Sequence, residues 1–224
     1  MFAPLVAGAQ TNSIIPTGPG SLDLTFDPTA GGTMIGLAGG DASVNAVVTQ
    51  PDGRVLISGP FHGVHGVPRN HMARLHADGT LDPSFDPGLG ADGDVGALSL
   101  QADGKVLIVG LFANVNGQPH AYIARLHANG QVDESFQCRL GGAIWTGRTM
   151  PAGIAAQPDG TVWVCGSFTS INGVICSNVA RLNPDGSLDP SFRLEEVLPG
   201  TNQWVDHLAV QADGKLLLGG YWTG

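Results

Sequence analysis

Apolar residues along this chain fall into short runs whose spacing is that of strands. Val44, Ala46 and Val48 alternate with Asn45, Val47 and Thr49, and from Arg54 to Gly59 an apolar run rich in Val, Leu and Ile resumes. A period of two and a β-branched composition predict two strands. Between them stands Pro51-Asp52-Gly53. Asp-Gly accommodates the positive dihedral angles of a tight reversal and the proline fixes its entry, so the two strands pair antiparallel. His71 to His76 is a third strand, Ala77-Asp78-Gly79 reverses it, and Thr80 to Phe85 forms a short outer strand. The unit is an antiparallel meander of three good strands and one weak one.

The same unit recurs. VNAVVTQPDGRVLISG, VGALSLQADGKVLIVG, IAAQPDGTVWVCG and VDHLAVQADGKLLLGG share one pattern, with Asp-Gly pairs starting at Asp52, Asp103, Asp159 and Asp213, at intervals of 51, 56 and 54 residues. ARLHADG, ARLHANG and ARLNPDG follow from Ala73, Ala124 and Ala180, and then LDPSF, VDESF and LDPSF from Leu81, Val132 and Leu188. An isolated version of the last string occupies Leu22 to Phe26. A meander of this size cannot hide both faces by itself, and radial stacking of successive meanders buries face against face around an axis. A β-solenoid normally repeats faster, and a two-sheet sandwich rarely carries near-identical strings at this spacing. The expected fold is therefore all-β and β-propeller-like: three full blades of four-stranded antiparallel meander plus a partial flanking blade. Residues 1–19 form an N-terminal extension and 20–224 one domain, with repeats near 44–94, 95–150, 151–204 and 205–224 and with 20–27 as an outer-strand remnant. The last unit supplies two strands only, so the ring is expected to be incomplete, or to be completed by a longer parent chain or by oligomerisation.

Composition narrows the partners. Glycine contributes 34 residues and charged residues only 13%, against a usual ~25%, which disfavours helices, while 42% apolar residues argue against disorder. A formal charge of −9 offers no basic footprint to nucleic acid or to an anionic membrane surface. No apolar stretch approaches the ~20 residues of a spanning helix, so no membrane insertion is expected. Met1 to Gln10 lacks a basic flank and is broken by Pro4, so it shows no signal-peptide pattern. Cys138, Cys165 and Cys176 lack the close pairing of zinc or disulfide frameworks.

Two residue series recur with the period. Phe61, Phe112, Phe168 and Trp222 each follow a strand-ending glycine by two residues, and Phe85, Phe136 and Phe192 close the outer strands. Both sets are expected to pack between blades. Arg74, Arg125 and Arg181 stand inside the apolar ARL strings and are expected to be structural, tying down loop carbonyls or Asp82, Asp133 and Asp189. The combined strings, from Leu22 to the chain end, resemble the delta-60 repeat family of bacterial secreted, surface or very large multidomain proteins. The resemblance implies propeller-like blades and an extracellular or cell-surface setting, and brings no agreed catalytic set.

Function is expected on loops. In a meander the first-to-second and third-to-fourth turns share one face and here are uniformly short, whereas the second-to-third segments and the links between blades vary. Trp145, Arg148 and Trp204 in the longer links, with Arg69 and His120, are candidate contacts to a protein or a surface glycan. His62, His65 and His71 cluster in one segment, and Arg69, His120 and Cys176 align at one ring position; His62, His65, His71 and Cys176 are candidate zinc or copper ligands. A Cys176–His120 nucleophile and base pair needs a depressed thiol pKa and an orienting partner that the sequence does not identify. No Walker loop, dinucleotide fingerprint, HExxH helix or GxSxG elbow is present. The first expectation is a non-catalytic binding or scaffolding module without a cofactor. A metal-dependent hydrolase or lactonase-like propeller and a structural repeat within a larger assembly are the alternatives.

Overall fold

A computed structural model describes residues 43–142, 151–192 and 203–222, and no helix occurs among them. Among the described residues no helix is long and apolar enough to cross a membrane. In the first unit Ala46–Thr49 pairs with Val55–Ser58, which pairs with Met72–Leu75, all antiparallel. Val95–Leu100, Val106–Gly110 and Ile123–Leu126 repeat that order in the second unit, and Pro151–Ala156, Val162–Gly166 and Val179–Leu182 in the third. A fourth unit contributes, among the described residues, the hairpin of Gln203–Val210 with Leu216–Trp222. The first strands of successive units lie against one another, which makes them the innermost strands around a common axis. No strand pairing joins the fourth unit to the first among the described residues, so the sheets do not close a ring there.

The buried aromatics lock the units face to face. Phe85, Leu56 and Met72 of the first unit share a core with Val95, Leu98, Ile108 and Phe112 of the second. Val109, Ile123 and Phe136 of the second unit do the same with Val164, Phe168 and Ala180 of the third. Phe61, Phe85, Phe112, Phe136 and Phe168 are all fully buried, as the period of the sequence requires. Phe192 instead meets Trp163 edge-on at 4.6 Å between ring centroids. In the second, third and fourth units the glycine near the end of the second strand faces a bulge in the first: a Cβ on Gly110 would lie 2.0 Å from the Asp94 carbonyl oxygen, where the register slips between Val95 and Ala97.

Two elements differ from the sequence expectation. The outer strand shrinks to single bridges, Leu75 to Leu81, Leu126 to Val132 and Leu182 to Leu188. Asp82 is the reason: its Oδ1 accepts from the Ser84 amide at 2.9 Å and hydroxyl at 2.6 Å, curling the chain out of the ladder at once. The segment between second and third strands is no irregular loop. It folds as a miniature hairpin, Gly63–Val64 with Val67–Pro68, Asn114–Val115 with Gln118–Pro119, and Ser170–Ile171 with Val174–Ile175. The central pairs His65-Gly66, Asn116-Gly117 and Asn172-Gly173 all have positive φ, from 49° to 83°, the primed-turn geometry that suits a two-residue reversal.

The arginine series bolts neighbouring units together. Arg74 donates from Nε to Asp82 (2.8 Å), from Nη2 to Ser84 (3.0 Å) and from Nη1 to the Ala128 carbonyl of the next unit (2.7 Å). Arg125 repeats this with Asp133 (2.8 Å), Ser135 (3.1 Å) and the Pro184 carbonyl (2.6 Å). Backbone bonds run alongside, from the Asp86 amide to the Asn129 carbonyl and from the Gln137 amide to the Asp185 carbonyl, both 2.8 Å.

These contacts set a pH dependence. Burial alone would raise the Asp82 carboxyl, but the hydrogen bonds from Ser84 and then Arg74 outweigh it and bring it from 3.8 to about 2. Asp133 is held well below its ordinary value by the same balance, Ser135, Lys105 and Arg125 opposing burial. A depressed carboxyl stabilises the fold above its unfolded pKa and loses that contribution as pH falls through the folded one. The carboxylate contribution to the urea midpoint is thus expected to be level from neutral pH to about 4 and to be lost between about 4 and about 2. An unchanged midpoint across that window would contradict the carboxylate account.

Candidate functional site

Each innermost strand is followed by a glutamine, Gln50, Gln101, Gln157 and Gln211, directly before the Pro/Ala-Asp-Gly turn. The turn holds each one by its backbone. The Gln101 amide donates to the Lys105 carbonyl (2.8 Å) and its carbonyl accepts from Gly104 (2.9 Å), and the other three repeat both bonds with Arg54 and Gly53, Thr161 and Gly160, and Lys215 and Gly214. Because the preceding strand is innermost, these glutamines stand at the axial mouth on the face of the short turns.

A cavity of about 660 Å³ opens there, lined by Gln50, Gln101 and Gln157 with Pro51, Leu100 and Ala156, and bordered by Asp52, Asp103, Arg54 and Arg74. That volume lies within the ~300–1,000 Å³ of small-ligand sites. Gln101 is 8% exposed, and the side-chain oxygens of Gln50 and Gln101 are buried without a hydrogen-bond partner. The cations are already engaged. Arg54 lies 3.3 Å from both Asp52 and Asp82, Arg74 is fixed as above, and Lys105 lies 3.0 Å from Asp133 and 3.7 Å from Asp103. A smaller cavity of about 350 Å³ lies on the opposite face between Asn70, Leu89, Asp92 and Asn114.

The residues singled out in the sequence lie elsewhere. Trp145 and Arg148 fall outside the described residues, as do the side chain of Trp204, the extension 1–19 and the remnant 20–27. Arg69 donates to the Pro68 carbonyl at 2.8 Å and lies 3.8 Å from Asp86. His120 is buried, and desolvation lowers its pKa, with Glu134 opposing, so the ring is neutral near pH 7. Cys176 packs against the core cluster that contains Cys138. His62 and His71 do meet, with ring centroids 5.0 Å apart. His71 Nδ1 lies 3.1 Å from the Gly59 carbonyl oxygen and 3.4 Å from Asp94, and burial lowers its pKa. His65 is the first residue of its turn. Among the described residues no group of three or more His, Cys, Asp or Glu side chains is placed to hold a metal ion. Burial pushes the thiols of both Cys138 and Cys165 up to about 12, so they stay protonated.

Sequence reasoning passed over the glutamines. Their signal was present as a Gln immediately before the Pro/Ala-Asp-Gly turn that joins the first two strands of each unit, but a uniform turn suggests architecture before recognition.

Fold and site together define a β-propeller-like repeat protein with a polar axial mouth. Three stretches, residues 50–85, 101–136 and 157–192, match the family model described as domain of unknown function (DUF5122) beta-propeller. Each match runs from the glutamine of one unit, Gln50, Gln101 or Gln157, to its outer phenylalanine, Phe85, Phe136 or Phe192. No curated protein matches the sequence. Among solved structures the chain is similar to "YCF48 bound to D1 peptide", at 12% identity and a TM-score of 0.44, over 84% of this chain and 51% of that one. The chain thus spans about half the length of that structure.

Proposed function

We propose that the chain is a non-catalytic binding or scaffolding module, one that receives part of a protein or carbohydrate partner at the axial mouth. The observation that carries this reading is the mouth itself: a cavity built from three units, lined by Gln50, Gln101 and Gln157 beside Pro51, Leu100 and Ala156, whose neighbouring cations are already bound to carboxylates. Buried, protonated thiols at Cys138 and Cys165 fit the same reading. The repeat strings support the finer delta-60 resemblance and, through it, an extracellular or cell-surface setting.

The rival is a zinc- or copper-dependent hydrolase or lactonase. Elemental analysis of untagged, extensively dialysed protein is expected to find either metal far below one equivalent, and a panel of lactones and phosphate esters is expected to show no turnover after zinc or copper is added. Near-stoichiometric metal accompanied by turnover would overturn the module reading. A structural role within a larger assembly is favoured by one further observation. Second strands are buried throughout the first three units, whereas Leu217 and Tyr221 in the fourth are 55% and 45% exposed. That edge suits an added strand from another chain or another segment.

A further inference from the structure

We propose that the open edge of the fourth unit, along Leu216–Trp222, takes up an extended segment of a partner polypeptide patterned aliphatic-Ala-Arg-Leu, with an aspartate eight residues beyond the arginine. The inference rests on the reading of that edge as a place for an added strand, and names the strand. The first three units are the template. Their second strands pair with Met72–Leu75, Ile123–Leu126 and Val179–Leu182 in one register: Leu56 faces Arg74, Leu107 faces Arg125 and Trp163 faces Arg181. The fourth unit repeats the second strand as Leu216, Leu217, Leu218, Gly219 and Gly220, and among the described residues no third strand pairs with it. Leu217 stands where Leu56, Leu107 and Trp163 stand. Those three are 1%, 0% and 6% exposed, and Leu217 is 55% exposed.

Each part of the pattern answers to a feature of the edge. The alanine is a limit on size. Ala73, Ala124 and Ala180 face Ile57, Ile108 and Val164 across the ladder and are fully buried, the last two in cores shared with the preceding unit. Leu218 takes that place in the fourth unit and packs, half-buried beside Leu216, against the cluster of Trp163 and Cys165 in the third, so the residue opposite it must be small. The leucine that ends each third strand is also fully buried, opposite Val55, Val106 or Val162, and its counterpart would cover Leu216. The aspartate answers a charge. Arg54 and Lys105 each lie between two carboxylates, one from their own turn and one from the outer string: Arg54 is 3.3 Å from Asp52 and Asp82, and Lys105 is 3.7 Å from Asp103 and 3.0 Å from Asp133. Lys215 holds their position. It has its turn carboxylate, Asp213 at 2.6 Å, pairs among the described residues with that one alone, and its side chain is 76% exposed. In the complete units the outer carboxylate also binds the third-strand arginine, at 2.8, 2.8 and 2.6 Å, so the arginine and aspartate fold the donated segment on itself.

The test is a titration of the 15N-labelled chain with a synthetic peptide copying residues 123–136, read at the Gly220 amide. Gly59, Gly110 and Gly166 donate from the same position to the residue before the third strand, at 3.1, 3.1 and 2.9 Å, so Gly220 reports an added strand. A saturable shift is expected there. The peptide carrying Ala124→Leu, and a scramble of the same composition, are each expected to bind about tenfold more weakly or worse. Asp133→Asn in the peptide and Lys215→Ala in the chain should each weaken binding, and together by about threefold less than the product of the two, the coupling of an exposed ion pair. Full additivity overturns the aspartate–Lys215 contact. A peptide of residues 123–127 that binds as tightly as the full copy overturns the aspartate itself and leaves the outer string to Leu22–Phe26 of the chain. If the scramble or the Ala124→Leu peptide binds as tightly as the copy, the edge accepts strands but the pattern is wrong. If no peptide shifts Gly220 saturably, the edge is not a docking site and the pattern and the reading beneath it both fall.

Discussion

Replacing Arg125 by alanine is expected to destabilise the fold by about 3 kcal/mol, because it takes one of two cations from the buried Asp133 carboxylate, leaving Lys105 at 3.0 Å, and cuts a link between units together. Arg125 and Asp133 side chains are 6% and 3% exposed at 2.8 Å, and Nη1 of the arginine also caps the Pro184 carbonyl of the next unit at 2.6 Å. Lysine cannot replace it. One ammonium cannot reach Asp133, Ser135 and Pro184 in three fixed directions, so Arg125→Lys is expected to recover little. Arg181→Ala is the internal comparison. Its ion pair with Asp189 is as short, at 2.6 Å, but its side chain is 35% exposed and the penalty should be clearly smaller. Urea unfolding measures all three, and a loss below about 1 kcal/mol for Arg125→Ala would contradict a buried clamp.

Phe112→Ala is expected to cost about 3–5 kcal/mol for a different reason, the cavity left between units. Phe112 is 1% exposed in a cluster drawn from both the first and second units, so neither sheet can collapse into the void without moving against the other. A value under about 1 kcal/mol in denaturant unfolding would place this ring outside the interface.

Both residues were legible in the sequence because periodicity speaks directly to packing. A phenylalanine two residues after each strand-ending glycine and an arginine inside each apolar ARL string have no reason to recur unless the same neighbour recurs. Asp-Gly turns were legible for the same reason, since few residue pairs reverse a hairpin so tightly. The miniature hairpins were less so. Asn116-Gly117 and Asn172-Gly173 are strong turn signals, but His65-Gly66 disguises the first copy, and strands of two residues carry no alternation to detect.

The mouth was illegible for a deeper reason. Length variation drew attention to one face, yet in a radial stack the shortest turns leave the axis open, and there the glutamine that follows each inner strand is presented. What distinguishes Gln101 is a missing partner, and no sequence pattern records an unmade hydrogen bond. Among the described residues His62 meets His71, while Cys176 packs against the core cluster that contains Cys138. Alignment at one repeat position does not bring side chains to one point.

Everything rests on successive meanders being bonded laterally around the axis. The most direct measurement is of scalar couplings across hydrogen bonds in deuterated, 15N/13C-labelled protein. Couplings are expected from the Asp86 amide nitrogen to the Asn129 carbonyl carbon and from Gln137 to Asp185, the two bonds of 2.8 Å that join units, alongside the within-unit coupling from Gly59 to His71. Detection of the within-unit coupling with both inter-unit couplings absent would show meanders that fold singly, and the shared axis with its mouth would not exist.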